Sequence, residues 1–119
     1  MKDEKDLRWR TKLFARRGIR LYCALRNNDG VAQVLGKLVL RSGTSVGAND
    51  REARRARSKN EFISKISDFL KEVDETLSRL QLMIEENVVP ARRLQPLANE
   101  ANELVAVILT IIKRARAAR

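Results

Sequence analysis

The chain contains no histidine. That removes the commonest general base and metal ligand, so a Ser-His-Asp or Cys-His site cannot be built within it, and helical RNases that rely on an Arg–His motif are excluded. Its single cysteine, Cys23, allows neither an intrachain disulfide nor a cysteine-rich zinc site, and it fits a reducing cytoplasm. Five glycines and two prolines in 119 residues supply too little turn chemistry for an all-β protein. Aromatics make up 4%, so a core must be built from aliphatic side chains. The longest apolar run, Leu104 to Ile112, is interrupted by Thr110 and is far shorter than the ~20 residues of a membrane span. The first eight residues are charged, unlike a signal peptide. One cytoplasmic domain over residues 1–119, with no membrane association, is the expectation.

What is present is helical periodicity in a chain that is 44% hydrophobic. A first segment, about 6–26, carries Leu7, Phe14, Leu21 and Leu25 on one stripe, widened by Ala15, Ile19 and Tyr22. Asn27-Asn28-Asp29-Gly30 reads as a turn that caps the next helix. The second segment, about 30–57, is apolar on one face through Val31, Val34, Leu35, Leu38 and Val39. It then enters Arg41-Ser-Gly-Thr-Ser-Val-Gly-Ala-Asn49, a poor helix former. Propensity favours a loop there; the seven-residue spacing of Val39, Val46 and Ala53 favours a continuous helix. The third segment, about 59–87, opens on Ser58 and Glu61 at capping-box spacing. Its stripe is Ile63, Ile66, Leu70, Val73, Leu77, Leu80 and Ile84, with Phe62, Phe69, Thr76 and Met83 alongside. The fourth, about 90–116, begins at Pro90 and carries Leu94, Leu97, Ala101, Leu104, Ile108 and Ile111. Short connections between long helices predict an all-α, antiparallel, up-down-up-down four-helix bundle.

Two features exceed what such a bundle needs. Between Leu104 and Ile112 apolar residues point in nearly every direction, which suggests that a second subunit covers Leu104, Val107, Leu109 and Ile112. The plainer reading is a few exposed aliphatics. On the second segment, the register set by Leu35 and Leu38 continues through Ser42, Ser45, Asn49 and Glu52, so polar groups face inward, where each costs ~1–3 kcal/mol if unpaired. Glu72 and Glu75 lie three apart on the third segment and complete a candidate polar interior. A hydrogen-bonded network that holds the helices in register explains these residues better than catalysis, because no catalytic partner set accompanies them. The helical di-metal pattern needs Glu-x-x-His, which is absent. Gly43-Thr-Ser-Val-Gly47 resembles a phosphate loop faintly but lacks its Gly-Lys-Ser/Thr ending. No enzyme, metal or cofactor is expected.

The net charge is +10, with a pI near 10.6. It is segregated: residues 1–26 hold nine Lys/Arg against three Asp/Glu, whereas residues 58–89 hold four against seven. Arg8, Lys12, Arg16 and Arg20 recur every four residues on one face, and Arg51, Arg54, Arg55 and Arg57 crowd the end of the second segment. Such rows suit a phosphate backbone contacted without base readout, in RNA or DNA. Trp9 and Tyr22 are the candidates for base stacking. The alternative is charge that complements helix C-termini and the acidic third segment, which explains the C-terminal Lys113, Arg114, Arg116 and Arg119 better than the first row.

The stretch Leu40-Arg-Ser-Gly-Thr-Ser-Val-Gly-Ala-Asn49 with Glu52-Ala53 resembles the four-helix bundle proteins encoded in intervening sequences of bacterial 23S ribosomal RNA genes. The likeness continues through Phe62, Lys65, Lys71-Glu72, Glu75-Thr76 and Glu103-Leu104, and covers roughly residues 5 to 115. The chain departs from the pattern at Asp50-Arg51, where members carry an apolar residue after the Asn, and at Arg79. The resemblance implies a ring-like homopentamer, similar in fold to the accessory protein of diversity-generating retroelements, which binds nucleic acid and a reverse transcriptase. It implies no enzymatic activity. Two functions follow as expectations: a basic homo-oligomer that binds nucleic acid, RNA foremost, or a structural and protein-interaction module, such as an accessory to a reverse transcriptase, whose charge is incidental.

Overall fold

Four long helices account for nearly all the described residues: α1 (Lys2–Leu25), α2 (Gly30–Arg54), α3 (Lys59–Glu85) and α4 (Ala91–Ala117). The computed structural model describes residues 2–25 and 30–118, with side chains from Leu7 onward. Among the described residues there is no strand. The turn expected at Asn27-Asn28-Asp29 lies outside them.

Local signals explain where the helices start and stop. Ser58 is extended (φ −147, ψ 163), and its hydroxyl accepts the Glu61 N–H at 3.0 Å, so the expected cap begins α3. At the other end Asn87 takes a left-handed φ of 52, which asparagine tolerates better than most residues. The Val88 N–H then reaches the Met83 carbonyl at 3.0 Å and the Asn87 N–H reaches that of Ile84 at 3.1 Å, which together close a Schellman turn. Pro90 precedes α4, flanked by buried Val89 and Leu94 at the positions of a hydrophobic staple. The second segment ends at Arg54, three residues earlier than its periodicity suggests. Arg55 and Ala56 tighten the last turn onto the carbonyls of Glu52 and Ala53, and the chain then opens into the Ser58 cap.

The Ser/Gly-rich centre of α2 is helix, as periodicity indicates and propensity does not. Its hydroxyls bond back to the preceding turn: Ser42 to the Leu38 carbonyl at 3.0 Å, Thr44 to that of Leu40 at 2.7 Å, and Ser45 to that of Ser42 at 2.8 Å. Val39, Val46 and Ala53 are all buried, so packing offsets the weak propensity.

The core runs the length of a body 51 × 22 × 21 Å. It combines Leu7, Phe14 and Leu25 with Val39 and Val46, then Phe69, Val73 and Leu80, then Leu94, Leu104 and Ile108. α2 packs against both α1 and α3, α3 against α4, and α1 touches α4 more lightly. Cross-helix pairs follow a regular order. Ser42 meets Thr76, Ser45 meets Glu72, and Glu52 meets Lys65, so numbers fall along α3 as they rise along α2. Arg10 ties α1 to α4 through a fork onto Glu100, at 2.8 and 2.9 Å, with Glu103 at 3.1 Å.

Three expectations about faces are corrected. Val31 and Val34, assigned to the core stripe, are about 60% exposed, and Ile19 is 46% exposed. The buried face of α2 is instead Ala32, Gly36, Val39, Ser42, Gly43, Val46, Asp50 and Ala53. The cause is close packing on α1: a Cβ on Gly36 would stand 2.9 Å from Leu25 Cδ1, and one on Gly43 would stand 3.7 Å from Phe14 Cε2. Glycines on that side draw α2 toward α1 and turn Val31 and Val34 outward. The same glycines give a prediction. Gly18 in mid-α1 has nothing within 4 Å of a new Cβ, so Gly18→Ala should stabilise by about 0.5–1 kcal/mol. Gly36→Ala should gain nothing, because Leu25 must move. Urea denaturation of both variants checks this, and an equal gain at Gly36 contradicts the close approach.

Candidate nucleic-acid interface

The basic candidates divide into a row and a corner. Lys12, Arg16 and Arg20 are exposed along α1. Arg8, at the start of that row, lines one solvent-open concavity of about 430 Å³ together with Arg51, Arg54 and Arg55 from the end of α2. Arg57 is exposed beyond the helix end. The pairing of α1 with α2 makes this corner. A Cβ on Gly47 would lie 3.9 Å from Thr11 Oγ1 and 3.8 Å from Arg51 Nη1, so the last turns of α2 stand beside the turns of α1 that carry Arg8 and Thr11.

The corner has a support that sequence reasoning missed. Asp50 is 2% exposed, and its Oδ2 accepts from Arg54 Nη2 at 2.9 Å. This pins the Arg54 guanidinium, whose Nε is buried with no hydrogen-bond partner among the described residues. Among those residues Arg8, Arg51 and Arg55 make no ion pair. The i,i+4 spacing of Asp50 and Arg54 was legible; the burial of Asp50 was not, because the inward register was placed one residue away, on Asn49.

The polar interior is only partly where it was expected. Ser42 is buried and shares a 2.6 Å hydrogen bond with Thr76, whose hydroxyl also lies 2.9 Å from the Glu72 carbonyl. Ser45, half-buried, donates to Glu72 Oε2 at 3.2 Å. Ser42, Ser45, Glu72 and Glu75 line one concavity with Arg41 and Arg79, and Arg79 sits 3.9 Å from Glu75. Asn49 is half-buried and does not line this concavity. Glu52 is not interior: its side chain is 60% exposed and lies 3.6 Å from Lys65, because α2 turns Ala53 inward instead. Among the described residues no group of three or more His, Cys, Asp or Glu side chains is placed to hold a metal ion.

The apolar end of α4 is also corrected. Leu104 and Ile112 belong to the chain's own core, at 0% and 6% exposure, because they lie on the Leu97, Ala101, Leu104, Ile108, Ile112 line that faces the bundle. Val107 is half-buried against that core, and Leu109 is half-exposed. The larger exposed apolar surface is elsewhere. Val31, Val34, Leu35, Leu82 and Val88 line an open concavity of about 1000 Å³ where α2 begins and α3 ends. Some 20 residues of α2 at ~1.5 Å each, or about 30 Å, separate it from the arginine corner.

Four helices, a polar seam between α2 and α3, and an arginine corner define a basic all-α helical protein. The 23S rRNA-intervening sequence protein family matches residues 11–110, and the chain belongs to that family. It is also similar to a crystal structure of a protein of unknown function from the S23 ribosomal protein family of Bacteroides thetaiotaomicron. That likeness has 35% identity and a TM-score of 0.84, over 93% of this chain and 98% of the other. None of the curated proteins compared matches. No described helix is long and apolar enough to cross a membrane.

Proposed function

We propose that this chain is a non-enzymatic, basic homo-oligomer that binds nucleic acid, RNA foremost, through its phosphate backbone. The observation that carries the reading is the corner where Arg8 of α1 meets Arg51, Arg54 and Arg55 of α2, three of them without an ion pair among the described residues. Arg51 and Arg54, in the last turn of α2, complement its carbonyl end, but Arg8 comes from another helix, and guanidinium groups gathered from two helices suit phosphate. The exposed Lys12, Arg16 and Arg20 extend the positive surface along α1. RNA is put first because the family is described by a segment of ribosomal RNA. The order of cross-helix pairs supports an up-down-up-down course for the four helices.

The resemblance implies a ring of five, and a second copy of the chain is the occupant we assign to the concavity around Val31, Val34 and Leu82. In place of the α4 face, this surface is the one Val34→Glu should disrupt. Light scattering should show an oligomer that the variant dissolves; a wild-type monomer at tens of micromolar refutes the assembly.

Binding is tested by fluorescence anisotropy on structured RNA and duplex DNA at low salt, with affinity on both expected; no binding refutes it. The same apolar concavity favours the second reading, a protein-interaction module such as an accessory to a reverse transcriptase. A pull-down that recovers a protein partner and no nucleic acid supports that reading instead.

A further inference from the structure

We propose that the corner between α1 and the end of α2 is a seat for one discrete phosphate group, gripped by Arg54 as a fixed fork and closed by Arg8, Arg51 and Arg55. The proposal rests on the nucleic-acid reading above and goes beyond it: it separates one shaped site from a diffuse positive surface.

The geometry distinguishes this corner from the rest of the basic face. Arg54 is the one arginine of the four held in place. Its side chain is 18% exposed and is anchored on Asp50, itself 3% exposed, through Nη2 at 2.9 Å. A guanidinium carries five N–H donors, and Asp50 occupies only part of that set through Nη2; the Nε–H is buried, so the donors left for an anion are on the terminal nitrogens. The ordering of the side chain is therefore met by folding, before any anion arrives. Arg8, Arg51 and Arg55 line the same concavity without an ion pair among those residues, so a single anion can be reached from both helices. The backbone is not the source of the donors. α2 ends here, and the Arg55 N–H is already bonded to the carbonyls of Arg51 and Glu52. Recognition falls to side chains, and the anion must offer several acceptor oxygens in a compact tetrahedral group to use them. Among the described residues Lys12, Arg16 and Arg20 have no such anchor, and they do not line this concavity.

A phosphate on this site comes either from a backbone diester or from a terminal monoester. The test uses the full chain and inorganic phosphate as probe, followed by NMR of the Arg54 Nε–Hε signal, with chloride at equal ionic strength as control. Saturable movement of that signal is expected with phosphate and not with chloride. Arg51→Gln/Arg55→Gln should abolish the saturation. Arg54→Lys, which keeps a cation beside Asp50 but removes the fork, should weaken phosphate binding by at least about fivefold. On RNA, Arg51→Gln/Arg55→Gln should lower affinity at least about tenfold more than Arg16→Gln/Arg20→Gln, which removes the same charge from the row. If RNA binds but both double variants lose affinity equally and phosphate gives no saturable shift, the seat is overturned and the nucleic-acid reading stands. If phosphate saturates but RNA does not bind at low salt, the seat stands and that reading falls. Two otherwise identical oligoribonucleotides, with and without a 5′-phosphate, separate the sources: tighter binding of the phosphorylated one assigns a monoester, and equal binding a diester.

Discussion

Asp50→Ala should cost about 3 kcal/mol of folding stability, because it leaves the largely buried Arg54 guanidinium without its carboxylate. Asp50 is buried with its side chain 3% exposed, whereas Arg54 keeps 18% exposure and a flexible stem. That lets Arg54 swing toward solvent and places the cost at the low end of what breaking a buried pair produces. Removing both charges is different. Asp50→Leu with Arg54→Met fills similar volume with apolar atoms and should be neutral or stabilising, since neither charge then has to leave water. Urea denaturation of the single and paired variants checks both statements. A loss under about 1 kcal/mol for Asp50→Ala would show that the carboxylate is hydrated rather than buried. The paired variant should also bind RNA more weakly while folding at least as well, which separates the role of Arg54 in the corner from any role in stability.

The second large effect is on α4. Leu104→Ala should cost about 2–5 kcal/mol, because Leu104 is fully buried and its removal leaves a cavity among long aliphatic neighbours. Leu109→Ala, five residues on and 50% exposed, should change folding stability by no more than about 0.5 kcal/mol. Thermal unfolding distinguishes them. Similar losses at both positions would mean that α4 is covered on both sides, as its all-round apolar sequence first suggested.

The helices themselves were legible because periodicity and caps act locally. Ser58 and Glu61 announced the start of α3, and Val39, Val46 and Ala53 carried α2 through a stretch that propensity reads as loop. What escaped was rotation of each helix about its own axis. Leu35 and Leu38 suggested one inward register for α2, and the structure uses its neighbour, with Asp50 and Ala53 inside and Glu52 on the surface. Adjacent stripes on an aliphatic helix are nearly equal in apolar content. The choice between them is made by cross-helix fit, here Gly36 against Leu25 and Gly43 near Phe14. The same holds for α3, whose most buried line includes Phe69, Thr76 and Met83, while Ile63, Leu70 and Ile84 are half-buried.

The candidate site was legible as charge and not as shape. Eight basic residues could be named from spacing alone. Nothing in that spacing says that Arg8 and Arg51 share a concavity while Arg16 and Arg20 do not, because the difference comes from where α1 and α2 cross. The fork from Arg10 to Glu100 was equally hidden, since its partners are 90 residues apart in sequence. Ser42, by contrast, was read as facing inward, and it does so between α2 and α3; its partner Thr76 was read only as part of the apolar stripe of α3.

The most direct test of the account is the salt dependence of RNA binding by the full chain, measured beside Arg8→Gln/Arg51→Gln/Arg55→Gln. Log K should fall linearly with log salt in the wild type, and the triple variant should lower the slope by about 1, because the three arginines share one phosphate. A flat wild-type response, or an unchanged slope in the triple variant, would contradict it.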